Sequence, residues 1–295
     1  MNHTGSPLPN FDVLITEIRP RLRRYCARMT GSVIDGEDVV QEALLKALEA
    51  TRSSEPVAHP QSWLFRIAHN AALDHLRGRA RHEARFTQED VEMIADPFDE
   101  AASSQAAAAT FSTFMHLTVS ERSSVILKDV LGHSLEEIAS ITGTTVPAVK
   151  AALHRGRTRL RTIALSPHDT PPPAMTEEDR VLLTAYVDRF NDRDFDAVRR
   201  MVAEDARVDL VGRTRLQGRS NVSRYFGNYE SRPDWRLSIG LVDGRPAVLV
   251  RHTAAPQGRP NHFALIEFKD GLIAEIRDYL YAADVVVDAE IVAAG

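Results

Sequence analysis

Leu135-Glu-Glu-Ile-Ala-Ser-Ile-Thr-Gly-Thr-Thr-Val-Pro-Ala-Val-Lys-Ala-Ala-Leu-His154 reads as two short helices joined by a tight turn. Helices that cross closely need a small residue at the crossing, and Ala139 supplies it. Four positions on, Gly143 tolerates the left-handed backbone that the turn requires. Val149 is placed on the inner face of the second helix, with Ile138 and Leu153 completing the buried side. Thr144 or Thr145 caps that helix, and Pro147 fits its first turn, where backbone N–H groups lack helical partners. The outward face then carries Pro147, Ala148, Lys150, Ala151, His154 and Arg155, the side that a helix-turn-helix lays in a major groove. Arg157, Arg159 and Arg161 continue it as phosphate contacts, which position without specifying. The candidate duplex-reading set is therefore Thr145, Ala148, Lys150, His154, Arg155, Arg157 and Arg159. An ordinary helical hairpin with a basic end explains fewer of these matches.

Charge outside this motif is arranged in blocks. The 295 residues carry a net charge of −5, with 43% hydrophobic and 26% charged residues, a globular composition that excludes wholesale disorder and fibrous repeats. Lys150 to Arg161 contains five cations and no acid. Arg77, Arg79, Arg81 and Arg85 form a second basic cluster, broken only by Glu83. Between the clusters, Glu89, Asp90, Glu92, Asp96, Asp99 and Glu100 stand without a Lys or Arg. Phosphate contacts are short-range at physiological salt, so the placement of charge matters more than its sum.

Upstream, apolar residues recur at helical spacing: Val13, Leu14, Ile18 and Leu22, then Val39, Val40, Ala43, Leu44 and Ala47. Asp35, Glu37, Asp38, Gln41 and Glu42 gather at a helix start, where the helix dipole favours negative charge. A loop from Thr51 to Pro60 leads to a helix over about 61–81. Its Trp63-Leu-Phe pair of aromatics, polar Asn70 and basic end suit holding unstacked single-stranded bases. Downstream, the triple proline after Thr170 marks a boundary. A helix over about 177–202, broken near 191–194, and a short helix over about 220–229 accompany strand-like runs at 207–211, 235–242, 247–253, 262–268 and 272–281. Asp243-Gly244 and Asp270-Gly271 have the chemistry of tight hairpin turns. Cys26, the single cysteine, reads as a buried thiol. The N-terminus lacks a signal-peptide pattern and no run is long enough to span a bilayer, so a cytoplasmic location is expected. No metal-ligand cluster, phosphate-cradling glycine loop or nucleophile triad stands out, and no cofactor or metal is expected.

Tyr25 to Gly31, Glu37-Asp-Val-Val-Gln-Glu42, Trp63-Leu-Phe-Arg-Ile-Ala-His-Asn-Ala-Ala-Leu-Asp74 and Glu121 to Leu160 together resemble an extracytoplasmic-function (ECF) sigma factor. The resemblance implies sigma region 2 over 10–85, an acidic linker over 86–110, a region 4 helix-turn-helix over 111–165, and a Pro-rich linker over 166–175. By that resemblance, the helix bearing Asp35, Glu37, Asp38, Gln41 and Glu42 binds the RNA polymerase core. Trp63, Arg66, Asn70, Asp74 and Arg77 capture the −10 element, and the helix-turn-helix binds the −35 element of promoter DNA. The acidic linker threads the polymerase's RNA channel. Family members usually carry a basic residue where this chain has Ala152, and often a polar one at Ala151.

Phe190-Asn-Asp-Arg-Asp-Phe-Asp-Ala-Val198, Asp205 to Leu210 and the hairpin Phe263 to Tyr281 resemble a SnoaL-like domain, an α+β cone of curved antiparallel sheet of the ketosteroid isomerase type, over 176–295. The expected fold class is thus two all-α domains followed by this cone. Such cones hold ligands in their concave face, and Asp209, Tyr225, His252 and Asp278 are the candidate pocket residues, with Tyr229 and His262 beside them. Asp278 alternates with Ile276 and Leu280 and so is expected to point inward, unless it pairs with Arg277 or Arg251. The resemblance implies a built-in regulator rather than an enzyme, acting through an intramolecular contact with the sigma regions. The segment 281–292 is either its docking segment or a last strand and helix of the cone. The alternatives are an isomerase- or hydrolase-type enzyme fused to a DNA-binding regulator, and a duplex-binding regulator that never joins polymerase.

Overall fold

The computed structural model describes residues 11–51, 59–83, 111–165, 175–254 and 258–293. They fall into two compact units, Met1–Asp169 and Thr170–Gly295. The acidic linker, and the Pro-rich linker up to residue 174, lie outside the described residues.

The first unit is all helical: α1 (Phe11–Thr30), α2 (Val33–Thr51) and α3 (Pro60–Glu83), then α4 (Phe111–Phe114), α5 (Val119–Val125) with a π-helical turn at Ile126–Val130, α6 (Leu135–Thr142) and α7 (Val146–Leu165). Helices α1 and α2 approach so closely that a Cβ on Gly36 would lie 2.5 Å from the Ala27 nitrogen. Capping boxes start α5, from Thr118 and Glu121, and α6, from Ser134 and Glu137, each satisfying two otherwise orphaned backbone donors. Gly143 ends α6 at φ 68°, as the turn demands. Of the two threonines, Thr145 caps α7, accepting from the Ala148 N–H at 3.4 Å.

One continuous apolar core runs from Phe11 on α1 to Leu160 on α7, with Cys26, Phe65, Ile126 and Ile138 inside it. Polar ties cross it. The Arg122 guanidinium donates to the carbonyls of Met29 at 2.6 Å, Leu117 at 3.0 Å and Met115 at 3.3 Å. Burial lowers its pKa to about 10, which still leaves it charged at neutral pH. Arg21 donates to the Leu131 carbonyl, and the Phe65 and His133 rings meet edge-on at 4.8 Å.

The second unit is α+β. Helices α8 (Glu177–Asn191) and α9 (Phe195–Arg200) break where the sequence predicts. They precede β1 (Val202–Leu210), β2 (Thr214–Gln217), α10 (Arg219–Glu230), β3 (Trp235–Val242), β4 (Arg245–His252), β5 (His262–Lys269), β6 (Leu272–Asp278), α11 (Ala283–Asp288) and β7 (Ile291–Ala293). The strands form one sheet in the order β2-β1-β6-β5-β4-β3-β7, antiparallel except for β1 beside β6. Asp243-Gly244 and Asp270-Gly271 have positive φ at both residues, the type I′ signature. Strand β1 begins five residues before the predicted 207, and β2 lies outside the strand-like runs of the sequence. The segment 281–292 resolves as α11 and β7, the latter paired with β3. Its end closes the cone's own sheet, so it is a last helix and strand of the cone rather than a free docking segment. Helices α8 and α10 cover the concave face, where Leu183, Tyr186, Phe190 and Phe226 pack on Val208, Val248, Val250 and Ile276. No helix among the described residues is long and apolar enough to cross a membrane.

Candidate functional site

Two helices of the first unit present polar faces outward. On α3, Arg66, Asn70, Asp74 and Arg77 are exposed along one stripe, while Leu64, Phe65, Ala68, Ala71 and Ala72 are buried behind them. Trp63 is half-buried at the head of the stripe, packed on the core. Asp74 lies 3.4 Å from Arg77 and 3.9 Å from Lys46 of α2, which also pairs with Glu42 at 2.7 Å. These are exposed contacts, worth little in stability. On α7, Thr145, Pro147, Ala148, Lys150 and Arg159 are exposed, Ala151, His154 and Arg155 half-buried, and Val149 and Leu153 buried.

Four of the sequence-derived positions have settings that the sequence does not show. Arg157 makes a two-pronged bond to Asp129, at 2.6 and 3.0 Å, with its side chain only 11% exposed. This bond holds α7 against the π-helical turn. Ala152 is 3% exposed, so a basic residue there would face the core in this arrangement, and its absence takes nothing from the outward surface. Glu37 is buried on α2 and accepts from Arg19 and Arg23 at 2.6 Å each, and from Gln41 at 3.3 Å. It ties α2 to α1. Asp35 is likewise buried, 3.9 Å from His75 and Arg79 of α3. Of the acidic set, Glu42 is exposed and Asp38 and Gln41 half-buried, and the surface of α2 around Glu42 also shows Leu45 and Leu48. Arg155 and Arg159 both approach Glu121, at 3.4 Å, though Arg159 remains about half exposed.

In the second unit Asp278 points inward, as its alternation predicts, but its partners are neither Arg277 nor Arg251. Tyr225 and Tyr229 of α10 both donate to its Oδ2 at 2.7 Å, and the Leu280 N–H donates to Oδ1 at 2.9 Å. His262 Nε2 lies 3.0 Å from the Tyr229 hydroxyl and 3.7 Å from Asp278 Oδ1. All four side chains are buried. Burial, and then the Asp278 carboxylate, hold both tyrosines well above the ordinary phenol pKa, so both keep their protons. Burial pushes His262 below the usual imidazole value against the opposing pull of Asp278, so the ring is neutral at pH 7. Its Nδ1 is buried without a hydrogen-bond partner.

Asp209 does not join this cluster. Residues paired in register share a sheet face; β1 sets Asp209 beside Arg277, and Leu210 beside Asp278. Asp209 therefore occupies the opposite face, where it pairs with Arg215 at 3.3 Å. His252 stands at the end of β4, edge-on to Trp235 with ring centroids 5.5 Å apart, and accepts from the Ala254 N–H at 3.2 Å. A cleft of about 420 Å3 opens beside Tyr225 and Tyr229, bordered also by Trp235, Arg213 and Arg232. Those last three were not picked out from the sequence, because nothing in its local pattern sets them apart from other surface residues. Among the described residues no cluster of three or more His, Cys, Asp or Glu side chains is placed to hold a metal ion.

Family models match in three places: Sigma-70 region 2 over 14–82, Sigma-70, region 4 over 112–160, and a SnoaL-like domain over 183–276. The ECF RNA polymerase sigma factor SigG of Mycobacterium tuberculosis is 29% identical over 291 residues, covering 89% of this chain and 79% of that protein. SigM of the same organism, also an ECF RNA polymerase sigma factor, is 33% identical over 158 residues, covering 54% of this chain and 79% of its own length. The crystal structure of the M. tuberculosis extracytoplasmic function sigma factor SigJ is 20% identical, with 90% of this chain and 95% of that one covered and a TM-score of 0.35. The two sigma regions each contain one of the outward-facing helices, and the third match lies on the tyrosine–aspartate cone: the chain belongs to the ECF RNA polymerase sigma factors and carries a SnoaL-like domain after its two sigma regions.

Proposed function

We propose that the chain binds the RNA polymerase core and directs it to promoters, with α3 taking the −10 element as single strand and α7 the −35 element as duplex. The observation that carries this reading is the pair of exposed polar faces on otherwise buried helices. Arg66, Asn70, Asp74 and Arg77 line α3, and Thr145, Ala148, Lys150 and Arg159 line the outer side of α7. Half-buried His154 and Arg155 extend the second face. Trp63 at the head of α3 stacks a base, and exposed cations position phosphates without reading sequence. Glu42, with Asp38, Gln41 and the neighbouring Leu45 and Leu48, forms the polymerase-facing surface of α2. Asp35 and Glu37 support it from within. The work is done in the cytoplasm and needs no cofactor.

The SnoaL-like domain regulates this activity and catalyses no reaction. Asp278, its one inward carboxylate candidate, already accepts three hydrogen bonds and lies behind the two tyrosines. A general base must come within hydrogen-bond reach of the proton it removes. Run-off transcription with core polymerase, comparing the full chain with residues 1–170 on promoters enriched from genomic DNA, tests the whole reading. Promoter-specific transcripts are expected from both, at different levels. Silence from both, with tight duplex binding by free protein, would point to a conventional repressor or activator. Equal transcription would remove the regulatory role.

A further inference from the structure

The cleft beside the tyrosine pair has a definite chemical character. Leu210, Leu280 and Trp235 give it apolar and aromatic walls, and its volume of about 420 Å3 suits a small molecule. Tyr225 and Tyr229 line it as well, but their hydroxyl protons are committed to Asp278, and Asp278 and His262 lie behind them, outside the lining. The aromatic part of the lining therefore offers no charge, and Thr214, Asn228 and Ser231 add only neutral polar groups. The charge is elsewhere. Arg213 and Arg232 border the cleft, both exposed, and no acidic side chain lines it. The Arg213 guanidinium lies 4.3 Å from the centre of the Tyr281 ring. A guanidinium stacked this way is oriented in advance and keeps its N–H edge open to an oxyanion.

A lining of apolar and aromatic side chains with two arginines and no acid matches a molecule that is apolar along its body and anionic at one end. We propose that the cleft binds a small aliphatic carboxylate, its chain against Trp235, Leu210 and Leu280 and its carboxylate between Arg213 and Arg232. Inorganic anions satisfy the arginines but leave the walls wet; neutral lipids fill the walls but leave the cations without an anion. The proposal does not depend on the promoter-binding reading, and its failure would leave that reading intact.

The chain has two tryptophans, so the full-length Trp63→Phe variant leaves Trp235 as a fluorescent reporter inside the cleft. Titration of this variant with sodium decanoate, below its micelle concentration, is expected to change Trp235 emission saturably. Decanol, equal in chain length but uncharged, is expected to bind about 10-fold more weakly, and Arg213→Gln with Arg232→Gln to weaken decanoate by about 10-fold or more, the value of hydrogen bonds to a charged group. Decanol needs no variant, so the comparison stands even if the arginine changes disturb the fold. Equal binding of decanol and decanoate, unaltered decanoate affinity in the folded arginine variant, or no saturable change at all would each overturn the proposal.

Discussion

Glu37 of the helical unit and Asp278 of the cone are both fully buried carboxylates, and they are held in opposite ways. Glu37 is gripped by two guanidinium groups at 2.6 Å, Asp278 by two phenol hydroxyls and a backbone N–H. A charge neutralised by charges leaves uncompensated cations when it is removed; a charge solvated by neutral donors leaves only unmet hydrogen bonds. The difference predicts unequal costs. Glu37→Gln is expected to destabilise the helical unit by about 4 kcal/mol, because breaking a buried pair strands its partners. Arg157→Ala, which removes both guanidinium bonds to the buried Asp129 carboxylate, falls in a similar range of about 3 kcal/mol. Urea unfolding of the full chain reads both, with the helical unit followed by helix circular dichroism. A Glu37 variant that loses less than the Asp278 variant described below would break the comparison.

The buried histidines extend the contrast to pH. His69 accepts or donates at 2.7 Å with the Tyr25 hydroxyl, and burial lowers its pKa from 6.5 to about 4. His262 is also lowered by burial, but Asp278 pulls in the opposite sense. A histidine held neutral in the fold binds fewer protons than it does unfolded. Its stabilisation is therefore complete above the unfolded pKa of about 6.5 and is lost as pH falls toward the folded value. For His69 this amounts to on the order of 3 kcal/mol between pH 6.5 and pH 4. The helical unit should weaken steeply over that window, and His69→Gln should flatten the slope. An unchanged slope in the variant would assign the acid sensitivity to another group.

Asp278→Asn keeps the shape of the side chain and leaves one of the buried hydroxyl protons without a good acceptor. About 2 kcal/mol of the cone's stability should go with it, within the range for bonds to a charged group. That Asp278 points inward was legible in the sequence, since strand alternation fixes the face of a residue once one neighbour is known to be buried. So were the helix-turn-helix and both I′ hairpins, where Gly143, Gly244 and Gly271 carry conformations that few other residues adopt. Asp209 was not legible: its face depends on the parallel register of β1 against β6, which joins strands more than 60 residues apart. The burial of Glu37 was not legible for a related reason. A run of acids at a helix start looks like one solvated patch, and the arginines that claim Glu37 sit 14 and 18 residues earlier on another helix. The short strands β2 and β7, of 4 and 3 residues, offer too few positions for a period to show.

Lys150→Ala is expected to have the smallest effect on stability and the clearest effect on DNA. Lys150 is exposed on the outer face of α7, so its loss should change unfolding free energy by less than about 0.5 kcal/mol. If it contacts a phosphate, −35 duplex affinity should fall across all sequences and the salt slope should shrink by about 1. If it reads a base, the loss should instead concentrate at one position of the element. Arg157, equally basic in sequence and seven residues further along the same helix, should do the reverse, moving the melting temperature while leaving the salt slope of the folded protein unchanged. The two substitutions remove the same formal charge, so only the direction of the side chain separates them. An identical salt-slope change in both would mean that Arg157 leaves Asp129 when DNA binds, and that the α7 seen here is rearranged on the promoter.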